Sequence, residues 1–328
     1  MAARDIIVVG TSAGGVEALE TLVRGLPADL PAAVLVAMHL APGTASILPK
    51  ILARAGPLPA THPRDGERYE TGRIYVAPPD HHLLVRDGLL RLTRGARENV
   101  HRPAVDPLFR SAAVAHGPRV IGVVLTGALD DGTAGLSAVK RCGGVAIVQD
   151  PRDASYPSMP ANALKNVAVD HCVPVSEMAA LLARLAGGAV TAPAPPPPAA
   201  IKAEDCMTER QQDDEDVLDK IGSRSTITCP ECSGTLWELS DDPVQFRCHV
   251  GHAYSPRTLM AQHTRRLEDA LWAAIRSFEE SASLSDRVAA RFQERDPDSV
   301  ERLKLRGQAA QEHAKELRKL IDALPVED

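Results

Sequence analysis

The chain has 328 residues, of which 44% are hydrophobic, and its formal net charge is -6. The excess of acidic side chains lies in residues 189–328, which hold 26 acidic and 18 basic side chains. This length accommodates two or three domains, and the acidic balance argues against a surface that wraps nucleic acid, so we expect no nucleic-acid partner. Since no stretch approaches the ~20 apolar residues of a membrane span and the N-terminus begins a strand instead of a signal peptide, we expect a cytoplasmic protein without membrane insertion.

The first predicted element is a short β-branched run at residues 6–9, which is typical of a strand buried on both faces. A glycine-rich turn follows, and residues 16–23 then carry apolar side chains at helical spacing. Residues 10–14 fit the pattern Gly-x-Ser-x-Gly, in which a sharp bend lifts a serine oxygen clear of a sheet. The pattern therefore predicts a strand-turn-helix unit with Ser12 in the turn.

The backbone of this turn is suited to stabilising negative charge. The amides of Ala13, Gly14 and Gly15 would open the helix without partners and direct partial positive charge at any group that Ser12 attacks. A nucleophile beside an oxyanion site is one interpretation of this turn. The motif alone favours a phosphate-binding or purely structural glycine turn over it, because five-residue patterns recur by chance.

A histidine and two aspartates follow other predicted strands. The buried run at residues 32–38 ends at His39, and the carboxyl ends of strands in an open parallel sheet face the crevice where ligands bind. This position favours His39 as a base over four other histidines. The run at residues 120–125 leads to Asp130 and Asp131, which could orient His39, or could simply cap the next helix. The competing histidines are His81, His82, His101 and His116.

Helices and strands alternate through the rest of this region, which predicts an α/β fold with a doubly wound, mostly parallel sheet and an antiparallel hairpin. The chain order Ser, His, Asp differs from the order Ser, Asp, His of the α/β-hydrolases. The remaining predicted elements are helices at 46–53, 106–115 and 134–141, strands at 73–80 and 144–148, a hairpin of residues 82–85 and 89–92, and a helical region at 161–187.

Residues 5 to about 186 resemble the catalytic domain of the bacterial chemotaxis protein-glutamate methylesterases. The matching stretches occur in the same order along the chain. They are VVGTSAGGVEAL, the strand ending in MHL, RIYVAPPDHHL, RPAVDPLFRSAA, VIGVVLTGALDDGTAGL and GGVAIVQDPRDASYPSMPANAL.

The resemblance implies a reaction and its residues. Ser12 would be the nucleophile, His39 the base and Asp131 its partner, acting without a cofactor on glutamyl methyl esters of a methylated chemoreceptor-type protein. The amides at Ala13 and Gly14, with the loop near Ala128, would hold the oxyanion. The same triad could deamidate glutamine side chains.

Two departures from the family pattern bear on activity. The family loop usually reads L-T-G-M-G-x-D-G, whereas this chain has Ala128 and Leu129 where Met and Gly are expected, which bears on rate and substrate more than on reaction type. Family members also commonly begin with a phosphorylatable receiver domain, but Ser12 lies close to Met1, so we expect no control by an N-terminal receiver. A catalytically weak or idle scaffold in a signalling complex is the alternative function.

The catalytic region, residues 1–188, is followed by a predicted linker at 189–225. Residues 193–198 contain five prolines, which favours a stiff extended segment. Residues 204–219 contain eight acidic side chains and one arginine, which is typical of a solvated, disordered segment.

Six cysteines are too few for a disulfide scaffold in a chain of this length, but three of them lie in a metal-binding pattern. Cys229, Cys232, Cys248 and either His252 or His249 would suit a tetrahedral zinc. We favour His252, because adjacent residues in a tight turn seldom direct both side chains at one ion. Nothing indicates a water-activating position, so we expect a structural zinc in a zinc-ribbon-like module at 226–256, with a hairpin of strands 234–239 and 244–247.

The last segment, residues 257–328, is predicted to be a helical hairpin broken at 296–298. Two apolar stripes would bury each other, and self-association or partner binding through them is the alternative. The first stripe is Leu267, Leu271, Ala274, Phe278, Val288 and Phe292, and the second is Val300, Leu303, Ala310, Leu317, Leu320 and Leu324.

Overall fold

The computed structural model of the chain describes residues 3–43, 45–190, 195–210, 215–240, 242–292 and 296–324. These residues form two compact units, Met1–Leu259 and Met260–Glu327. The predicted catalytic region, linker and zinc-ribbon-like module all fall within the first unit. None of the helices in the described ranges has the length and apolar composition needed to cross a bilayer.

The strands of the first 190 residues are β1 (Ile6–Thr11), β2 (Ala33–Met38), β3 (Ala60–Thr61), β4 (Glu67–Arg68), β5 (Ile74–Val76), β6 (His82–Arg86), β7 (Leu89–Thr93), β8 (Val120–Val124), β9 (Val145–Gln149) and β10 (His171–Val173). The α-helices of the same region are α1 (Gly15–Arg24), α2 (Leu48–Ala55), α3 (Val105–His116), α4 (Thr133–Arg141), α5 (Ser158–Asn166) and α6 (Val175–Leu185).

A seven-stranded parallel sheet in the order β10-β9-β8-β1-β2-β5-β3 forms the centre of the first unit. Its two faces bury separate apolar clusters: Ile7 and Val9 of β1 point to one cluster, and Ile6 and Val8 point to the other. The predicted fold class is confirmed. Because β1 lies between β2 and β8, the chain segments that leave these three strands emerge side by side at one edge of the sheet.

A separate antiparallel sheet has the order β4-β7-β6. The predicted hairpin is present as β6 and β7, and the short strand β4 adds to it. The helical prediction for residues 161–187 is wrong at β10, which pairs in parallel with β9. A strand of three residues is too short to show a periodicity of its own.

Two helices, α7 (Ala199–Arg210) and α8 (Glu215–Ile221), occupy much of the segment predicted to be a linker. The prediction of a solvated acidic segment is wrong for α7, because its acids have basic partners in the catalytic region. Asp205 is 2.9 Å from Arg86, and Glu204 is 3.5 Å from Arg110. The linker prediction also covers residues 191–194, which include Pro193, and residues 211–214. These two segments lie outside the described residues.

The Cys/His region forms a four-stranded antiparallel sheet of β11 (Gly222–Thr228), β12 (Thr235–Leu239), β13 (Gln245–Cys248) and β14 (Ala253–Tyr254). The predicted hairpin corresponds to β12 and β13, and two further strands flank it. A small apolar core holds this sheet together. It contains Leu236, Phe246, Tyr254 and Leu259 together with two of the cysteines. We call residues 222–259 the Cys/His module.

The second unit is built from α9 (Pro256–Phe292), from residue 260 onward, and α10 (Pro297–Asp322). Phe278 contacts His313, and Ser285, further along α9, lies beside Gly307, which comes earlier in α10, so the two helices are antiparallel, as predicted. The predicted stripes are partly wrong, since Leu267 is 51% exposed and Leu320 is 56% exposed. Small side chains at seven-residue spacing line the buried seam instead, which lets the helices approach closely. They are Ala282 and Ala289, following Ile275, and Gly307 and Ala314, following Val300.

Candidate active site

Ser12 lies in the turn between β1 and α1, and this arrangement requires one glycine in the turn and another in the loop after β8. Gly14 has a φ of 71°, a left-handed conformation that L side chains rarely adopt. A Cβ on Gly127, in the loop after β8, would lie 2.0 Å from Met159 Sδ and 2.9 Å from Ser12 Cβ. The Ser12 amide donates to the Thr126 carbonyl at 3.0 Å. The turn is therefore fixed against the loop that follows β8.

The structure brings Ser12, His39 and Asp131 into one hydrogen-bonded series. Ser12 Oγ is 2.9 Å from His39 Nδ1, and His39 Nε2 is 2.6 Å from Asp131 Oδ2. A carboxylate can only accept, so Nε2 carries the proton and Nδ1 has a free lone pair for the serine hydroxyl. The three residues follow β1, β2 and β8, as their strand-end positions indicate.

Five donors surround the carboxylate of Asp131, which is 2% exposed. Burial alone would raise its pKa, but the hydrogen bonds from His39, the Val105 amide and Asn99 together hold the pKa well below the usual range. Asp131 therefore stays ionised. The donors other than His39 are the Val105 amide at 2.7 Å, the Gly132 amide at 2.9 Å, Asn99 Nδ2 at 3.0 Å and the Asp106 amide at 3.3 Å.

Asn99 and Asp106 are site residues that sequence reasoning missed. Asn99 Nδ2 donates to both Asp131 Oδ1 and Asp106 Oδ2, the latter at 2.9 Å. Burial and the nearby charge of Asp131 raise the pKa of Asp106 well above its ordinary value. Burial and charge thus disfavour the ionised form of Asp106, whereas the surrounding donors favour the ionised form of Asp131. It belongs to the RPAVDPLF stretch of the resemblance, which gave it no role.

Among the competing histidines, only His101 reaches this site in the described part of the chain. Its ring stacks on that of His39, with centroids 3.5 Å apart and an interplanar angle of 13°. Burial and the neighbouring His39 lower the pKa of His101 to about 4. His82 instead contacts the backbone of Ala96, and His116 contacts Tyr69.

The predicted oxyanion groups lie around the serine turn. The Gly15 amide donates to the Ser12 carbonyl, whereas the Ala13 and Gly14 amides have no backbone acceptor among the described residues. Ala128 is exposed in the loop after β8. Leu129, next to Ala128, has a φ of 60°. The loop therefore has a left-handed residue at the position where glycine is usual in the family that the sequence resembles.

A buried charge cluster lies directly beside Asn99. Glu98, 1% exposed, accepts hydrogen bonds from Arg110 of α3, Arg247 of β13 and Thr208 of α7. Burial opposes ionisation, but the two guanidinium groups lower the pKa of Glu98 from 4.5 to about 2. Glu98 therefore joins the catalytic region, α7 and the Cys/His module through one carboxylate.

The predicted metal ligands Cys229, Cys232, Cys248 and His252 form one cluster whose ligand atoms lie within 4.8 Å of one another. The separation of Cys232 Sγ and Cys248 Sγ is 3.6 Å, and His252 Nδ1 is 3.7 Å from Cys229 Sγ. Metal–ligand bonds of about 2.3 Å to sulfur and about 2.0 Å to nitrogen in a tetrahedron require similar separations. The residues present thus fit a zinc ion, whereas His249 is exposed and outside the cluster.

A carboxylate lies near the second ring nitrogen of the proposed ligand histidine. Glu231 lies 3.5 Å from His252 Nε2, the ring nitrogen that faces away from the cysteines. Metal-bound histidines usually pair their second nitrogen in this way.

An α/β domain with a serine, a histidine and an aspartate in hydrogen-bonded series at one edge of its sheet has the features of a serine hydrolase. The family model described as CheB methylesterase matches residues 7–182. The chain therefore belongs to the CheB methylesterase family, and the resemblance predicted from sequence is confirmed.

Individual relatives agree with this assignment. A Leptospira interrogans protein is 35% identical over 182 residues, which cover 55% of this chain and 94% of that relative. Protein-glutamate methylesterase/protein-glutamine glutaminase 2 of Pseudomonas aeruginosa is 38% identical over 186 residues, 56% of this chain and 53% of that protein. This chain thus matches about half the length of the Pseudomonas relative.

A solved structure is similar as well. The crystal structure of the Thermotoga maritima CheB methylesterase catalytic domain matches with a TM-score of 0.54 and 31% identity, and covers 56% of this chain and 100% of that one.

We predict that Leu129→Gly stabilises the protein. A left-handed conformation costs a residue with a side chain about 1 to 2 kcal/mol, which glycine avoids, but the larger backbone entropy of an unfolded glycine offsets about 0.5 to 1 kcal/mol of this gain, so the free energy of unfolding should rise by about 0.5 to 1 kcal/mol. Urea denaturation measures the change. Ala128→Gly is the matched control and should lower the free energy of unfolding, because Ala128 is not left-handed. A lower value for Leu129→Gly would contradict the prediction.

We predict that Glu98 makes stability depend on pH. Its folded pKa of about 2 lies below the unfolded value of 4.5, so its contribution is complete above pH 4.5 and is lost as pH falls toward 2. The urea midpoint of wild type should therefore fall toward that of Glu98→Gln across this window. A difference between the two proteins that stays constant from pH 6 to about 3 would contradict the assignment.

Proposed function

We propose that this protein is a serine hydrolase that demethylates glutamate methyl esters on chemoreceptor-type signalling proteins. The observation that carries the proposal is the unbroken series from Ser12 Oγ through His39 to the ionised Asp131. Membership of the CheB methylesterase family, and relatives named as protein-glutamate methylesterase/protein-glutamine glutaminase, support the substrate class.

The first chemical step is attack of Ser12 on the ester carbonyl. His39 Nδ1 accepts the hydroxyl proton as the Ser12 oxygen bonds to the γ-carbonyl carbon. The imidazole then carries positive charge, which the Asp131 carboxylate stabilises at 2.6 Å. The chemistry requires no cofactor.

The developing oxyanion is held by backbone donors. The amides of Ala13 and Gly14 lie in the first turn before α1, where the helix leaves them without partners, and the loop at Ala128 borders the same turn. Each oxyanion donor is typically worth about 3 to 4 kcal/mol in the barrier.

Collapse of the tetrahedral intermediate completes the cycle. His39 returns its proton to the departing methoxide, so methanol leaves and Ser12 carries a glutamyl ester. Water, deprotonated by His39, then releases the glutamate. A glutamine side chain would follow the same course with ammonia as the leaving group, which gives glutaminase activity.

The alternative is a catalytically weak or idle scaffold that works through binding alone. The buried donors around Asp131 favour the enzyme, because they keep ionised a carboxylate that contacts the catalytic imidazole. Ala128 and Leu129 stand where the family usually has Met and Gly. Leu129 nevertheless has a positive φ, so the left-handed backbone conformation at this position is kept.

We also propose that Cys229, Cys232, Cys248 and His252 bind a structural zinc. The four ligand atoms account for a complete tetrahedron, so no position is open for substrate or water. The metal would stabilise a module whose apolar core is small.

The partners and location follow from the substrate. We propose a methylated chemoreceptor-type protein as the partner and the cytoplasm as the place of action. Self-association through α9 and α10 stays a prediction, and exposed side chains such as Trp272 and Leu284 would serve it.

We predict that methanol release from methylated receptor fragments depends on the triad. Ser12→Ala should abolish it, and Asp131→Asn should lower kcat by about 10³- to 10⁴-fold, because an amide at 131 favours the wrong His39 tautomer. Gas chromatography measures methanol, and an ammonia assay measures deamidation. The exposed Ser176 of α6 supplies a control, Ser176→Ala, which should match wild type. Equal release by wild type and Ser12→Ala would contradict the mechanism, and release from neither would favour the scaffold.

We predict one bound zinc per chain. Native mass spectrometry of the full chain should detect it, and Cys232→Ser should lose it because a hydroxyl is a poor zinc ligand. Cys172→Ser, at an exposed cysteine of β10, is the matched control and should keep the ion. Wild type that binds no zinc from zinc-supplemented buffer would contradict the proposed site.

A further inference from the structure

One tight turn contacts both the triad and the Cys/His module. Glu98 and His101 exchange backbone hydrogen bonds of 3.3 and 3.0 Å, and the two residues between them have φ values of 49° and 61°. Two left-handed central residues are the mark of a type I′ turn. We call residues 98–101 the bridging turn.

The bridging turn contains a strained residue. Asparagine tolerates the left-handed conformation well, but a β-branched residue such as Val100 adopts it at a cost, and glycine is preferred in its position. A turn of this sequence therefore needs support from outside itself to stay in this conformation.

The Cys/His module supplies that support. The Asn99 amide donates to the Ala253 carbonyl at 2.7 Å, and the Ser255 amide donates to Asn99 Oδ1 at 2.9 Å. Val100 packs against the apolar core of the module, which includes the buried Cys229 and Cys248. Three successive contacts thus bind the strained part of the turn to residues that surround the proposed metal ligands.

The opposite side of the bridging turn contacts the catalytic residues. Asn99 Nδ2 donates to Asp131 Oδ1 at 3.0 Å, and the His101 ring lies against the His39 ring. A second connection runs beside it, because Asp130 accepts from Ser255 Oγ at 2.6 Å and from Thr258 Oγ1 at 3.1 Å.

We propose that the metal-bound Cys/His module holds the bridging turn in its strained conformation and thereby positions Asp131 through Asn99 and His39 through His101. This inference rests on the proposed esterase function. Asn99 and His101 are positioning residues, since in this account they act on the triad and not on the substrate.

The coupling has a defined kinetic consequence. When the module loosens, the turn can relax, Asn99 no longer fixes the Asp131 carboxylate, and the Ser12 to His39 geometry broadens. Misplacement of catalytic groups by about 1 Å can cost about 100-fold in rate. The loss should appear in kcat, while KM stays nearly unchanged, because nothing that would contact the ester is removed.

The test compares the full chain with Cys232→Ser and its control Cys172→Ser. Cys232→Ser should lower kcat for methyl ester hydrolysis about 10- to 100-fold with KM unchanged, and Cys172→Ser should match wild type. Hydrogen exchange provides a readout that does not depend on activity. Exchange should rise in the bridging turn on metal loss, whereas β1 and β2 should stay protected. Brief chelation of the wild type gives the same comparison should Cys232→Ser fold poorly.

Two further variants separate positioning from general destabilisation. Val100→Gly converts the centre of the turn to Asn-Gly, the sequence that type I′ turns favour, so the turn should hold without the module. Val100→Gly should therefore restore most of the kcat lost in Cys232→Ser. In an Asn99→Ala background, Cys232→Ser should cost less additional kcat than it costs in the wild type, since the connection through Asn99 is already broken.

Unchanged exchange in the bridging turn after metal loss would overturn the proposal. Losses in kcat that multiply in the Asn99→Ala background, or a failed rescue by Val100→Gly, would also overturn it. A wild type that hydrolyses no methyl ester would refute the proposed function instead, and the exchange data would still decide whether the module holds the turn.

Discussion

The structure depends on keeping the carboxylate of Asp131 ionised in a site where it is 2% exposed. An unpaired charge there would be costly, and the protein compensates with five donors that come from separated parts of the chain. The donors also fix the direction of the carboxylate, so that one oxygen faces His39 Nε2 and the other faces Asn99 and Gly132. The position of the imidazole, and hence of its lone pair beside Ser12, follows from this arrangement.

The same requirement explains the surroundings of the site. The first turn of α3 supplies two backbone amides, and the charge of Asp131 together with burial raises the pKa of the neighbouring Asp106. Asn99 Nδ2 donates to both acids, and the side-chain oxygen Oδ1 of Asn99 accepts from the Ser255 amide of the Cys/His module. Glu98, next in sequence, is the shared acceptor of an arginine from the catalytic region and another from the module. The proposed coupling makes the module a structural extension of the active site.

Sequence patterns sufficed for the longer buried strands and for placing Ser12, His39 and the pair Asp130 and Asp131 at strand ends, because buried strands are visible as β-branched runs and their carboxyl ends converge. The family resemblance then selected Asp131. Asn99 could not be found this way, since its importance comes from contacts with residues 32 and 156 positions away. The acids of α7 suggested disorder by composition, and only their partners in β6 and α3 make them structural. In α9 and α10 the large side chains suggested the seam, whereas close packing selected small ones. Composition limits the structural roles that a residue can have, and long-range contacts determine which of these roles it has in the folded protein.

The most direct test of the central claim is the partitioning of the proposed glutamyl intermediate on Ser12. Methyl and ethyl esters of one glutamyl receptor peptide would be hydrolysed in the presence of hydroxylamine, and the ratio of hydroxamate to glutamate measured by mass spectrometry, with Ser12→Ala as control. The account predicts the same ratio for both esters, because both leave the same acyl group on Ser12, and neither product from Ser12→Ala. A ratio that depends on the leaving group, or products from Ser12→Ala, would contradict it.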